Sequence, residues 1–224
     1  MTRVAIRNLA VLFMLAVPIA AQERNSVWHK ITGTVVDEQE QPVKGAEVCA
    51  TGTFPSTGPL PCGESNTNGQ FSIDVERLAT YVVYAEHFEK GYPNATWSFY
   101  GKPWQDLPRV TIDETSTPAP VKIKLGPKAG RLVLTILDGA TNKPIEKGSV
   151  ELCRVGEPLS RWTISTGWPK GHYEILTPEV PFTIKFQTWH GEWVDRKAFD
   201  ESGVQIETMQ LDLGARREMT IRLN

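Results

Sequence analysis

The chain has 224 residues, of which 22% are charged and 40% apolar, and a formal charge of −2. That length suits two domains of ~100 residues better than one large core. The charges are interspersed with no Lys/Arg run or basic stripe, which argues against nucleic acid or anionic lipid as the main partner.

At the N-terminus Arg3 and Arg7 precede an apolar run, Leu9 to Ala21, broken by Pro18 and closed by Ile19-Ala20-Ala21. A basic start, a short apolar segment and small residues before a polar stretch describe a secretory signal peptide over residues 1–21. The run falls short of the ~20 apolar residues that span a bilayer; an uncleaved membrane anchor is the alternative reading. The expectation is a mature chain that begins near Gln22, has no membrane span, and is secreted or held in the periplasm or cell envelope. Loss of residues 1–21 removes two arginines and no acid, so the formal charge of −2 becomes −4.

Strands are predicted from period-2 alternation and from the turn residues that bound them. In the first half they run Ile31 to Val36, Ala46 to Ala50, Gln70 to Val75, Tyr81 to Glu86, Arg109 to Ile112 and Pro120 to Leu125. In the second half they run Leu132 to Leu137, Ser149 to Val155, Arg161 to Ser165, Tyr173 to Leu176, Phe182 to Gln187, Val204 to Leu211 and Glu218 to Leu223. Asn68-Gly69, Gly91-Tyr92-Pro93 and the proline-bearing stretch Thr115 to Pro120 supply the breaks. No window has a helical apolar period; Glu76 to Ala79 is expected to form one helical turn at most.

The two halves repeat one another. Asp37 and Pro42 meet Asp138 and Pro144, while Val43, Ala46 and Val48 meet Ile145, Gly148 and Val150. Gly69-Gln70-Phe71 is answered by Gly171-His172-Tyr173, Tyr81 to Ala85 by Phe182 to Phe186, and Val121 to Leu125 by Met219 to Leu223. The order and spacing hold throughout, which implies a tandem duplication of one domain rather than a short-period solenoid.

The pattern D-x-x-x-x-P-V-x-G-A-x-V, followed by T-N-G-Q-F-S-I and Y-V-V-Y-A, resembles the carboxypeptidase regulatory-like domain, a transthyretin-like (prealbumin-like) β-sandwich. It is carried here by Asp37, Pro42, Gly45, Ala46, Val48, Thr67, Gly69 and Phe71. The second copy keeps Asp138, Pro144, Gly148, Val150, Gly171 and Tyr173 but lacks the Thr-Asn step before its glycine. The resemblance implies an all-β fold of two tandem Ig-like/prealbumin-like β-sandwich domains after the signal peptide. These would cover residues 28–125 and 130–224, joined by a short linker, Gly126-Pro127-Lys128-Ala129, that restricts how they swing. The family has no common active site to carry over, and a fold alone does not set a function.

Three cysteines follow the leader. Cys49 and Cys62 flank a loop rich in Thr, Gly, Pro and Ser, and an exported chain meets oxidising conditions, so a Cys49–Cys62 disulfide is expected, with two free thiols as the alternative. Cys153 has no evident partner and lies on the strand face opposite Val150 and Leu152.

The four histidines, His29, His87, His172 and His190, form no H-x-H, H-E-x-x-H or H-x-x-E pattern. His87, His172 and His190 are each followed two residues on by Glu89, Glu174 and Glu192, a spacing that reads as polar surface pairs before it reads as a metal pair. No phosphate loop, dinucleotide fingerprint or G-x-S-x-G is present, so no catalytic residue, cofactor or metal is assigned and a non-enzyme is expected.

The candidate ligand surface is aromatic. An expanded segment, Phe88 to Leu107, carries Tyr92, Trp97, Phe99, Tyr100 and Trp104, and the related stretch of the second half carries Trp189 and Trp193. Exposed rings there would stack on sugars or anchor a protein; alternatively they tuck beneath their own loop. Two roles follow: a non-catalytic module that binds or spaces proteins at the envelope or outside the cell, or a carbohydrate-binding protein using residues 88–107 against an envelope polysaccharide.

Overall fold

A computed structural model of the chain describes residues 28–52, 59–96, 106–114, 117–157 and 159–224. The first seven strands are β1 (His29–Val36), β2 (Glu47–Gly52), β3 (Cys62–Glu64), β4 (Gln70–Val75), β5 (Thr80–Glu86), β6 (Arg109–Thr111) and β7 (Val121–Lys124). They form two facing sheets, ordered β4-β1-β7 and β3-β2-β5-β6. The remaining strands are β8 (Gly130–Asp138), β9 (Lys147–Arg154), β10 (Arg161–Gly167), β11 (His172–Thr177), β12 (Phe182–Trp189), β13 (Trp193–Arg196), β14 (Ala198–Phe199), β15 (Thr208–Met209) and β16 (Arg216–Leu223). Their sheets are ordered β11-β8-β16-β14 and β10-β9-β12-β13, with β15 also on β12. The protein is therefore all-β, two tandem β-sandwich units.

The duplication holds at the level of register. β1 runs parallel to β7 with Val35 opposite Ile123, and β8 runs parallel to β16 with Ile136 opposite Ile221. Val48 faces Ala85 across β2–β5 as Val150 faces Phe186 across β9–β12, and Gly33 faces Phe71 as Leu134 faces Tyr173. Each of these is a pair that the sequence repeat superimposes.

The turns explain which residues the repeat retains. Asp37 Oδ1 accepts from the Gln39 and Gln41 amides at 2.9 Å, and Asp138 Oδ1 accepts from the Thr141 amide at 2.8 Å, each closing the turn that ends its first strand. Gly69 and Gly171 share φ near +72°, and a Cβ on either would lie 2.4 Å from a carbonyl oxygen, that of Val35 or Ile136. Only glycine fits both that backbone conformation and that space.

Each unit has its own core. The first gathers Ile31, Val35, Val48, Ile73, Val83 and Ile123; the second gathers Leu132, Ile136, Leu152, Phe182, Phe186 and Trp168. Trp168 is fully buried against Phe186 and Tyr173, and its ring tip occupies the space where a Cβ on Gly148 would stand, 2.0 Å away. That contact accounts for glycine at 148 where the first copy has Ala46.

The segment between the units is bonded to both. Glu38 accepts from the Tyr92 hydroxyl at 2.9 Å and from the Lys128 amide at 3.2 Å, and the Ala129 amide donates to Gly91 O at 2.9 Å. On the other side the Gly214 amide donates to Lys128 O at 3.2 Å and to Ala129 O at 3.3 Å. The Arg131 guanidinium reaches back across the boundary, donating to Phe88 O at 2.6 Å and Glu89 O at 3.0 Å while lying 5.2 Å from the Phe88 ring centroid. A cleft of about 550 Å³ remains between the sandwiches, lined in part by Ala85, Leu107, Ile123, Pro127, Arg154 and Val180.

Four local expectations need correction. β3 was not predicted, because three residues with a glycine at the centre give no alternation. Val204 to Leu211 narrows to the two residues of β15, while β13 and β14 occupy a stretch read as loop. Glu76 to Ala79 forms a bend with no helical turn; short 3₁₀ turns occur instead at Phe88–Lys90 and Pro169–Gly171.

Candidate functional site

Of the predicted aromatic surface, Tyr92 belongs to the first core. It is 3% exposed, its hydroxyl is committed to Glu38, and Lys128 Nζ lies 5.6 Å from its ring centroid. Burial, then the Glu38 carboxylate, raises its phenol well above the usual value. A ring held this way serves packing and does not present a face to solvent. Trp97, Phe99, Tyr100 and Trp104 lie outside the described residues.

The exposed aromatic pair in the described structure is in the second unit. Trp189 ends β12 and Trp193 begins β13; they face each other across the ladder on either side of the turn His190-Gly191-Glu192. Gly191 takes φ +91° and the His190 amide donates to Glu192 O at 3.0 Å, which closes the hairpin tightly. The two indoles are 52% and 46% exposed, with centroids 5.4 Å apart and planes at 68°. Even-numbered Ile184, Phe186 and Thr188 fill the inner face of β12, which leaves Trp189 on the outer face. Two residues back on that face, Gln187 lies opposite Asp195 and its Nε2 donates to Asp195 Oδ1 at 2.8 Å. Sequence reading noted both tryptophans without their pairing. Two aromatic residues bracketing a three-residue turn with central glycine were the available signal.

In the first unit Cys49 and Cys62 are directly opposite on β2 and β3 and form a disulfide. Two residues along β2 and on the same face stands Glu64–Glu47–Glu86, three carboxyl groups side by side. Burial and then the neighbouring Glu47 carboxylate raise the Glu86 carboxyl, and a hydrogen bond to Asn94 partly opposes them. Elsewhere Lys122 and Lys124 converge on exposed Glu40 and hold its carboxyl down to about 2. Register produces these clusters, and no sequence motif announces them.

No catalytic constellation forms among the described residues. Glu47, Cys49 and Cys62 come close enough to share a metal, but both sulfurs are joined to each other. Glu174 is committed to Arg131 and Arg216, and His190 and Glu192 sit on a turn whose contact is main-chain. Cys153 is a free thiol on the outer face of β9. No helix of the described residues is long and apolar enough to cross a membrane.

No protein-family model and no curated protein matches the sequence. Among solved structures, the chain is similar to the Bacillus anthracis TIE protein, with 13% identity over 88% of this chain and 34% of that one and a TM-score of 0.34. It is also similar to the shaft pilin SpaA from Lactobacillus rhamnosus GG, with 8% identity, 88% and 98% coverage and a TM-score of 0.32. A DUF3823 family protein from Bacteroides ovatus gives 10% identity, 81% and 96% coverage and a TM-score of 0.33. The chain thus spans about a third of the length of the first of these. Scores in this range mark a loose overlay, and no property of those proteins transfers to this chain.

Proposed function

We propose that the chain is an exported, non-catalytic module. Residues 1–21 direct export, and two sandwiches of the carboxypeptidase regulatory-like type, residues 28–125 and 130–224, are joined at residues 126–129 so as to hold proteins or polysaccharides at a set spacing at the cell envelope or outside the cell. The observation that supports this most is the bonded joint. A linker that served only as a tether would leave its amides to water, whereas here Lys128 and Ala129 donate to Glu38 and to Gly91. Arg131 crosses the boundary with its guanidinium spread over main-chain carbonyls and an aromatic ring, a use that suits its planar fork. Each sandwich devotes its pleated interior to packing and has a core of its own, as expected of a scaffold.

Small-angle scattering of the exported chain tests the spacing role, with intact mass expected to place the first residue near Gln22. The wild type should give one narrow distance distribution, and Glu38→Ala with Arg131→Ala should broaden it. A wild-type distribution already as broad as the variant's would exclude a spacer.

A further inference from the structure

We propose that the corner formed by Trp189 and Trp193 is a binding site for a neutral polysaccharide. It requires only the β12–β13 hairpin, so it stands independently of the spacing role. Two half-exposed indoles at 68° make a corner rather than a flat platform. A sugar ring laid with its C–H face on one indole meets the second at its rim, and the electron-rich face of each indole attracts the partially positive C–H edge. The next pair on the same strand face, Gln187 and Asp195, lies roughly 6.6 Å along the ladder. It offers what a ring's hydroxyls need: carboxylate oxygens that accept, and an amide whose oxygen is not used in the Gln187–Asp195 hydrogen bond.

Charge selects among glycans. Asp195 and Glu192 flank the indoles; of the lysines nearby, Lys185 lies 3.7 Å from Glu151 and exposed Lys197 stands just past the end of β13. An anionic polymer seated on the rings would meet the Asp195 and Glu192 carboxylates, whereas a neutral one carries no charge to be repelled. Area selects against a protein partner. The two rings together expose on the order of 200 Å², bordered by polar residues, well short of the ~800 Å² per side of a stable protein interface. Strand pairing fixes both indoles before a ligand arrives, which spares the ordering cost of a loop site. At the equivalent place on the first unit, where Glu86 takes the position of Gln187, stands the Glu64–Glu47–Glu86 row.

The test is retention of the full chain on insoluble cellulose, chitin, mannan and xylan, with polygalacturonate as the anionic comparison. Wild type should be retained by at least one neutral polymer. Trp189→Ala and Trp193→Ala should each weaken retention about tenfold. The near-isosteric Asp195→Asn, which leaves the fold undisturbed, should weaken it several-fold, and Trp97→Ala with Trp104→Ala should leave it unchanged. Retention by none of the neutral polymers, retention by polygalacturonate alone, or tryptophan variants that bind like wild type would each overturn the site. Loss confined to the Trp97/Trp104 variant would move it to residues 88–107. Self-association abolished by Trp193→Ala, without glycan retention, would make the corner a protein contact instead.

Discussion

The two sandwiches share a topology and differ in how the edge next to β2 or β9 is secured. In the first, β3 makes only three cross-strand pairs with β2, and the Cys49–Cys62 disulfide sits at the end of that short ladder. In the second, β10 makes seven pairs with β9 and no disulfide is present. There Glu151 and Thr163 occupy the positions of the two cysteines, with Arg161 and Lys185 beside the carboxylate. Trp168 closes the core beneath the same edge. A covalent staple and a longer ladder backed by a large buried ring are alternative ways to hold one strand. The first acts largely by restricting the unfolded chain, the second by contacts in the folded one.

That contrast can be broken from either side, and hydrogen exchange resolved to each sandwich is the common measurement. The largest loss is expected from Trp168→Ala, about 3–5 kcal/mol, read as faster exchange across β8 to β16. Trp168→Phe should cost less, because it also removes an indole N–H that no described residue accepts. Next comes the pair Cys49→Ser and Cys62→Ser, or reductant on the wild type. Opening a loop with a sequence separation of 13 should cost ~3 kcal/mol and loosen β1 to β7 alone. If either change exposes both sandwiches together, the bonded joint makes them one cooperative unit and the comparison must be redrawn.

The smallest effect is electrostatic. The folded-state pKa of Glu86 is raised, so the folded protein holds that proton longer than the unfolded chain. Its contribution is therefore greatest in acid and declines as pH rises from the ordinary carboxylate range through the raised value. Glu47→Gln removes the facing like charge and should flatten that decline, by roughly 0.2–1 kcal/mol near neutrality. Melting temperatures at pH 4.5 and 7 compare the two slopes; equal slopes in wild type and variant would show that burial alone sets the shift.

The duplication was readable because it rests on local chemistry. Asp37 and Asp138 close turns within a few residues of themselves, and Gly69 and Gly171 are required by backbone φ and a carbonyl at 2.4 Å. The shortest pieces escaped: β3 and β14 have three residues or fewer and form only because a longer neighbour presents free main-chain groups. Tyr92 shows the limit for sites. Its place in a loop rich in aromatics left exposure and burial both open, and the carboxylate that draws its hydroxyl inward, Glu38, is far away in sequence.

Alternation, turn residues and the repeat by themselves determined an all-β chain of two like halves with Cys49 and Cys62 in one of them, since strand period and turn geometry are properties of neighbouring residues. The structure decided which side chains meet across strands: the Trp189–Trp193 corner, the Glu64–Glu47–Glu86 row, and Arg131 over Phe88. The tryptophan corner needs only the turn that brings β12 back along β13. The Glu row and the Arg131 contact, which tertiary structure alone decided, depend on register between distant strands and on the docking of one sandwich against the other, which no local stretch of sequence encodes.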